Sequence, residues 1–124
     1  MRVFKLLALA ALTATGLAAK KTNTSKFETY FPKQSSKPFE IDEQAYDELT
    51  AAPRDYNVAV LLTARPAKYA CQLCRDFDPE WDIVGRSWGK GDKKGASRLL
   101  LTTLDFDSGR NVFMKVRLLT HRYQ

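Results

Sequence analysis

The sequence is poor in metal ligands. Its two cysteines and single histidine, His121, fall short of the four ligands of a structural zinc site, which excludes one held within this chain. An intermolecular site that borrows ligands from a partner stays open. No Ser-His-Asp set, phosphate-cradling glycine loop or paired carboxylates can be picked out, and there is no internal repeat or heptad. Neither a cofactor nor a metal is expected. The N-terminal apolar run, Leu6–Thr15, stops short of the ~20 residues that cross a bilayer. Basic residues outnumber acidic ones by 20 to 14, yet they are dispersed over Lys90, Lys93, Lys94, Arg98, Arg110, Lys115, Arg117 and Arg122. They make no stripe interleaved with aromatics, so nucleic acid is not an expected partner.

What is there fits one small domain. A length of 124 residues is enough for one core and too short for two. Seven Phe, five Tyr and two Trp argue against disorder. Residues 1–19 form a separate unit: Met1-Arg2-Val3-Phe4-Lys5 is basic, Leu6–Thr15 is apolar, and Gly16-Leu17-Ala18-Ala19 has the small residues at which a signal peptidase cuts. An N-terminal anchor helix is the competing reading. A secretory-pathway chain uses its positive charge as a solvated surface or against anionic headgroups. Residues 20–38 are polar and read as a flexible leader containing a formal glycosylation acceptor, Asn23-Thr24-Ser25. Residues 39–124 hold the domain.

Within it, Ile41–Ala52 is predicted as a helix, capped by Asp42 and stopped by Pro53, with Ala45, Leu49 and Ala52 inward. Asn57–Thr63 is apolar without alternation, as in a strand covered on both faces. After a loop over residues 64–70, helical periodicity begins at Cys71, with Phe77, Trp81, Val84 and Trp88 as its inward stripe. The acids Asp76, Asp78, Glu80 and Asp82 are expected on its outer side. Ser97–Asp105 is a second buried strand, residues 106–109 a turn, and Asn111–Leu119 a short helix burying Val112, Phe113 and Val116. A strand–helix–strand unit of this length implies a parallel pair.

The two cysteines, Cys71 and Cys74, stand three apart where that crossover helix begins. Unpaired N–H groups and partial positive charge at a helix N-terminus favour thiolate over thiol. Cys71 is therefore the expected nucleophile and Cys74 the resolving thiol of an exchange reaction. A purely structural disulfide would close a very small loop and stabilise little, and two unrelated thiols sit poorly in an oxidising compartment. Those alternatives remain open. The strand before the pair carries no carboxylate, which predicts slow resolution of mixed disulfides.

Tyr56-Asn57-Val58-Ala59-Val60-Leu61-Leu62-Thr63-Ala64, Cys71-Gln72-Leu73-Cys74 with Phe77, Glu80-Trp81 and Ser87-Trp88, then Leu104-Asp105-Phe106-Asp107 and Asn111-Val112-Phe113, occur in that order. This combination, spanning Phe39 to Thr120, resembles the gamma-type accessory subunits of the oligosaccharyltransferase complex, the tumour-suppressor-candidate and magnesium-transporter proteins. The resemblance implies an α/β, thioredoxin-like domain in the endoplasmic-reticulum lumen. There Cys71 captures nascent glycoproteins as mixed disulfides and Cys74 releases them, while other oligosaccharyltransferase subunits are partners and perform the glycosyl transfer. A free-standing lumenal or secreted thiol–disulfide oxidoreductase and a non-catalytic peptide-binding module are the alternatives. The family continues past the last helix with a Thr-Ala-Pro-like segment, further strands, a helix and four membrane spans. Here Thr120 is followed by His121-Arg122-Tyr123-Gln124, so an incomplete thioredoxin-like fold without its membrane anchor is expected.

Overall fold

Three short, largely apolar segments make a parallel sheet. The structure, a computed structural model, describes residues 25–34 and 36–121, with side chains as far as Arg117. The signal-peptide reading, the Asn23 acceptor and the His121 side chain lie outside that description. Strand β3 (Leu99–Asp105) is central, flanked by β1 (Phe39–Ile41) and β2 (Asn57–Thr63), in the order β1-β3-β2. Both neighbours run parallel to β3. Leu100 to Leu104 are all buried, because helices cover both faces of the middle strand.

On one face, Leu100 and Leu104 meet Leu49 of α2 (Glu43–Thr50) and Val112 of α4 (Arg110–His121), with Val58, Val60 and Leu62 packed alongside. Leu49, Leu100, Leu104 and Val112 are wholly buried. The other face takes the crossover helix α3 (Gln72–Gly91). There Trp81 Nε1–H donates to Thr103 Oγ1 at 3.1 Å, and the buried Gly85 lies against Pro38.

The structure changes four expectations. Strand β2 has the predicted bounds, but it is one of the two edge strands among the described residues, and Val58 to Leu62 are only half-buried. Its unbroken apolar run reflects partial cover on each face and not the enclosure that β3 enjoys. The α3 stripe is also displaced. Phe77, Val84 and Trp88 are 44%, 43% and 39% exposed, whereas Cys74, Asp78, Trp81 and Gly85 form the less exposed line. That line has spacings of four, three and four, as a seated helix requires, but an acid and a glycine hide it from hydropathy. Ile41 belongs to β1, and α2 starts only at Glu43, where Asp42 Oδ1 accepts the Ala45 N–H at 2.8 Å.

The fourth change concerns the polar leader, which is structured where it is described. Ser25 caps α1 (Lys26–Tyr30), whose Phe27 is 2% exposed and stacks on Phe31 at 5.0 Å. The Arg98 guanidinium lies 4.5 Å from the Phe27 ring centroid and pairs with Asp55 at 2.8 Å and Glu28 at 3.2 Å. Gln34 is buried too; its Oε1 accepts the Leu101 N–H at 2.6 Å, and its amide donates to Leu99 C=O at 3.4 Å. A side-chain amide thus completes the β3 ladder ahead of β1.

Candidate functional site

The chain leaves β2 at Thr63, passes a 3-10 turn at Ala67–Tyr69, and reverses at Ala70, which has φ 50°. Cys71 follows as the N-cap of α3, its Sγ accepting the Cys74 N–H at 3.2 Å. Sulfur so placed faces the unpaired N–H groups of the first turn. Cys71 and Cys74 are joined as a disulfide with their Cα atoms 5.3 Å apart. Both are half-buried, and Cys74 Sγ also accepts the Ala64 N–H at 3.4 Å. Beside Cys74 lies an apolar recess of about 190 Å³, bounded by Leu61, Leu62, Thr63, Leu73 and Phe77. Leu73 at its rim is 77% exposed.

Two acids, Asp105 at the end of β3 and Asp107 in the 3-10 turn after it, hold the loop that delivers Cys71. Asp105 Oδ2 accepts the Arg65 N–H at 3.1 Å, and the Arg65 guanidinium lies 2.7 Å from Glu40, 3.6 Å from Asp105 and 3.7 Å from Asp78. Asp107 takes Lys68 at 2.8 Å, a short hydrogen bond from the Tyr69 hydroxyl, and Arg110 at 3.3 Å. Tyr69 also meets the Phe106 ring edge-on at 5.1 Å. The hydrogen bond from Lys68, then that from Tyr69, pulls the Asp107 carboxyl down to about 2. Reciprocally, Asp107 raises the Lys68 ammonium above its ordinary value. Of the acids expected on the outer side of α3, Asp78 is half-buried and engaged by Arg65. Arg75 donates to Gln72 Oε1 at 3.0 Å.

The predicted pair, Cys71 and Cys74, is therefore brought together, and no carboxylate lies on β2. Sequence reasoning passed over Arg65, Lys68, Tyr69, Asp105 and Asp107. Their signal was charge complementarity between the basic loop 65–68 and the acids of Leu104-Asp105-Phe106-Asp107. Among the described residues, no group of three or more His, Cys, Asp or Glu is placed to hold a metal ion. No described helix is long and apolar enough to cross a membrane.

A disulfide at a helix N-terminus can accept a thiolate at one sulfur and release the other. Parallel strands joined by that helix, with the disulfide at its cap, define a thioredoxin-like α/β protein. The model of the OST3/OST6 family, transporter family, matches residues 28–121, and the chain belongs to that family. It is similar to the dolichyl-diphosphooligosaccharide–protein glycosyltransferase subunit MAGT1 of several vertebrates. Identity to the Xenopus laevis protein is 31% over 70 residues, covering 56% of this chain and 21% of the relative. For Danio rerio it is 34% over 68 residues, covering 55% and 20%. For Homo sapiens it is 32% over 68 residues, again covering 55% and 20%. The chain thus matches these relatives over about a fifth of their length.

Proposed function

We propose that this chain acts as an accessory subunit of oligosaccharyltransferase in the endoplasmic-reticulum lumen, supporting N-glycosylation by holding nascent glycoproteins as transient mixed disulfides. Family membership and the names of the relatives support the complex. The capped disulfide is the observation that carries the mechanism. A client thiolate attacks Cys71 Sγ, a client–Cys71 bond forms, the Cys71–Cys74 bond breaks, and Cys74 departs as thiolate. The client sulfur is oxidised and Cys74 is reduced, so no outside oxidant enters. Return attack by Cys74 on Cys71 frees the client thiolate and restores the disulfide. Because β2 offers no carboxylate to manage the Cys74 proton, the held state is slow to resolve. The apolar recess beside Cys74 suits an unfolded segment better than a folded surface.

The test is a Cys74→Ser variant expressed in the secretory pathway, whose free Cys71 thiolate attacks a client disulfide, forming the client–Cys71 bond while the second client sulfur leaves as thiolate. The variant is expected to accumulate client adducts that dissolve on reduction and to co-purify with the catalytic glycosyltransferase subunit. If it traps no more than a Cys71→Ser/Cys74→Ser double variant, the mixed-disulfide mechanism is refuted. If adducts form but the glycosyltransferase is absent, the assignment to the complex fails.

A further inference from the structure

Thr63 is 2% exposed, and its Oγ1 is the one buried side-chain polar atom among the described residues without a hydrogen-bond partner. A buried hydroxyl left so is costly, and natural proteins seldom carry one without a reason. Its position supplies that reason. Along β2, Val58, Val60 and Leu62 face the α2–α4 side, so strand alternation turns Leu61 and Thr63 toward α3. The register agrees, since Leu61 pairs with Thr103, the residue bonded by Trp81 of α3. Thr63 and Cys74 line the same recess, and the next residue, Ala64, already donates its N–H to Cys74 Sγ. The recess therefore holds one donor already on Cys74, the Ala64 N–H, and a second, the Thr63 hydroxyl, with nothing to donate to.

Disulfide sulfur is a weak acceptor, whereas a thiolate is a strong one, and a hydroxyl rotates to suit its surroundings. We propose that the Thr63 hydroxyl donates a hydrogen bond to the Cys74 thiolate released when a client thiol opens the disulfide at Cys71. The bond exists only in the opened state, so it stabilises the captured complex and not the resting disulfide. The charged groups facing this corner are Arg65 from the loop, Asp78 from α3 and Asp105 from β3, and Arg65 pairs with both acids. Thr63 sits level with Asp105 in the register, but no hydrogen bond joins them. The proposal rests on the exchange reaction described above.

The test uses the full chain and two readouts. In a Cys71→Ser background, the Cys74 thiol is titrated by thiolate absorbance. Adding Thr63→Val or Thr63→Ala is expected to raise its pKa by about one pH unit, and Thr63→Ser to restore it. In the otherwise unaltered oxidised chain, glutathione serves as the client thiol, and the trapped Cys71–glutathione fraction is read by mass spectrometry. At a pH above the Cys74 pKa in both chains, Thr63→Val is expected to lower the capture equilibrium about tenfold, matching that pKa change. An unchanged Cys74 pKa in both the valine and alanine variants overturns the role of Thr63. Failure of the unaltered chain to capture glutathione overturns the exchange reaction instead, and the titration still decides Thr63.

Discussion

Replacing Gly85 by alanine tests how α3, and with it the disulfide, is seated on the sheet. The new Cβ would fall 2.2 Å from Pro38 Cδ and 2.8 Å from both Pro38 Cγ and Pro38 N. Ordinary contact begins at 3.4 Å, so helix and proline must part by about an ångström. Neither a pyrrolidine ring nor a backbone nitrogen can rotate aside, which leaves movement of the helix. Two effects oppose each other. Alanine is favoured over glycine in a helix by ~1 kcal/mol, and overpacking costs ~1–3 kcal/mol, more where backbone shifts. At 2.2 Å the backbone has to shift, so a net loss of ~2 kcal/mol is expected. Lifting α3 also stretches the 3.1 Å bond from Trp81, one turn earlier, to Thr103. Gly91→Ala is the control: its Cβ meets nothing within 4 Å, and it should be neutral or stabilising by less than ~1 kcal/mol. Urea denaturation followed by tryptophan fluorescence measures both. Gly85→Ala as stable as the parent, with Gly91→Ala behaving as stated, would show that α3 is not seated through this glycine.

Three other outcomes are expected. Phe27→Ala should cost ~3–5 kcal/mol in the same denaturation assay, because its ring is wholly enclosed; a loss below ~1 kcal/mol would place residues 26–34 outside the core. The folded Asp107 carboxyl lies below its ordinary value, so its stabilising contacts are complete above about pH 4 and are lost as pH falls toward about 2. Hydrogen-exchange protection factors at residues 67–71, corrected for the intrinsic pH dependence of exchange, should fall over that window in the parent and be low at all pH values in Asp107→Asn. An equal pH response in the two would remove Asp107 as the clamp. After reduction, iodoacetamide should modify Cys71 with a pH midpoint below the ~8.5 of a free thiol; a midpoint at or above that value would mean the helix cap gives Cys71 no activation.

Where hydropathy and geometry coincide, the sequence was legible. Asn57–Thr63 stood out as a run of apolar, β-branched residues between polar ones, and the strand has those bounds. Cys71 was readable as a helix start because a loop precedes it and periodicity follows. Legibility failed where a residue's structural work is invisible to hydropathy. Gly85 seats a helix by having no side chain, Gln34 completes a strand ladder with an amide, and Phe27 is a core residue inside a polar stretch. Strand β1 is only three residues long, and its place in the sheet comes from pairing with β3. The two sides of Arg98, ion pairs to Asp55 and Glu28 and stacking on Phe27, join residues whose proximity only the fold creates.

The placement of the cysteines owes more to β3 than to the strand that precedes them. Ala70 holds φ 50°, a left-handed conformation that costs a residue with a Cβ ~1–2 kcal/mol. Such a backbone persists only where its surroundings hold it. On its N-terminal side, Lys68 and Tyr69 are tied to Asp107, and earlier in the loop Arg65 is tied to Asp105. On its C-terminal side, Cys71 caps α3. Releasing Asp107 would let Ala70 relax and carry Cys71 away from the N–H groups that favour its thiolate. Cys74, a turn into the helix and held from below by Ala64, would stay. Under the proposed exchange, acid clamps at the end of β3 and in the turn after it govern the capturing sulfur, Cys71, and the end of β2 governs the releasing one, Cys74. On this division, Asp107→Asn should slow capture of a thiol with little effect on the Cys74 pKa, and Thr63→Val should do the reverse.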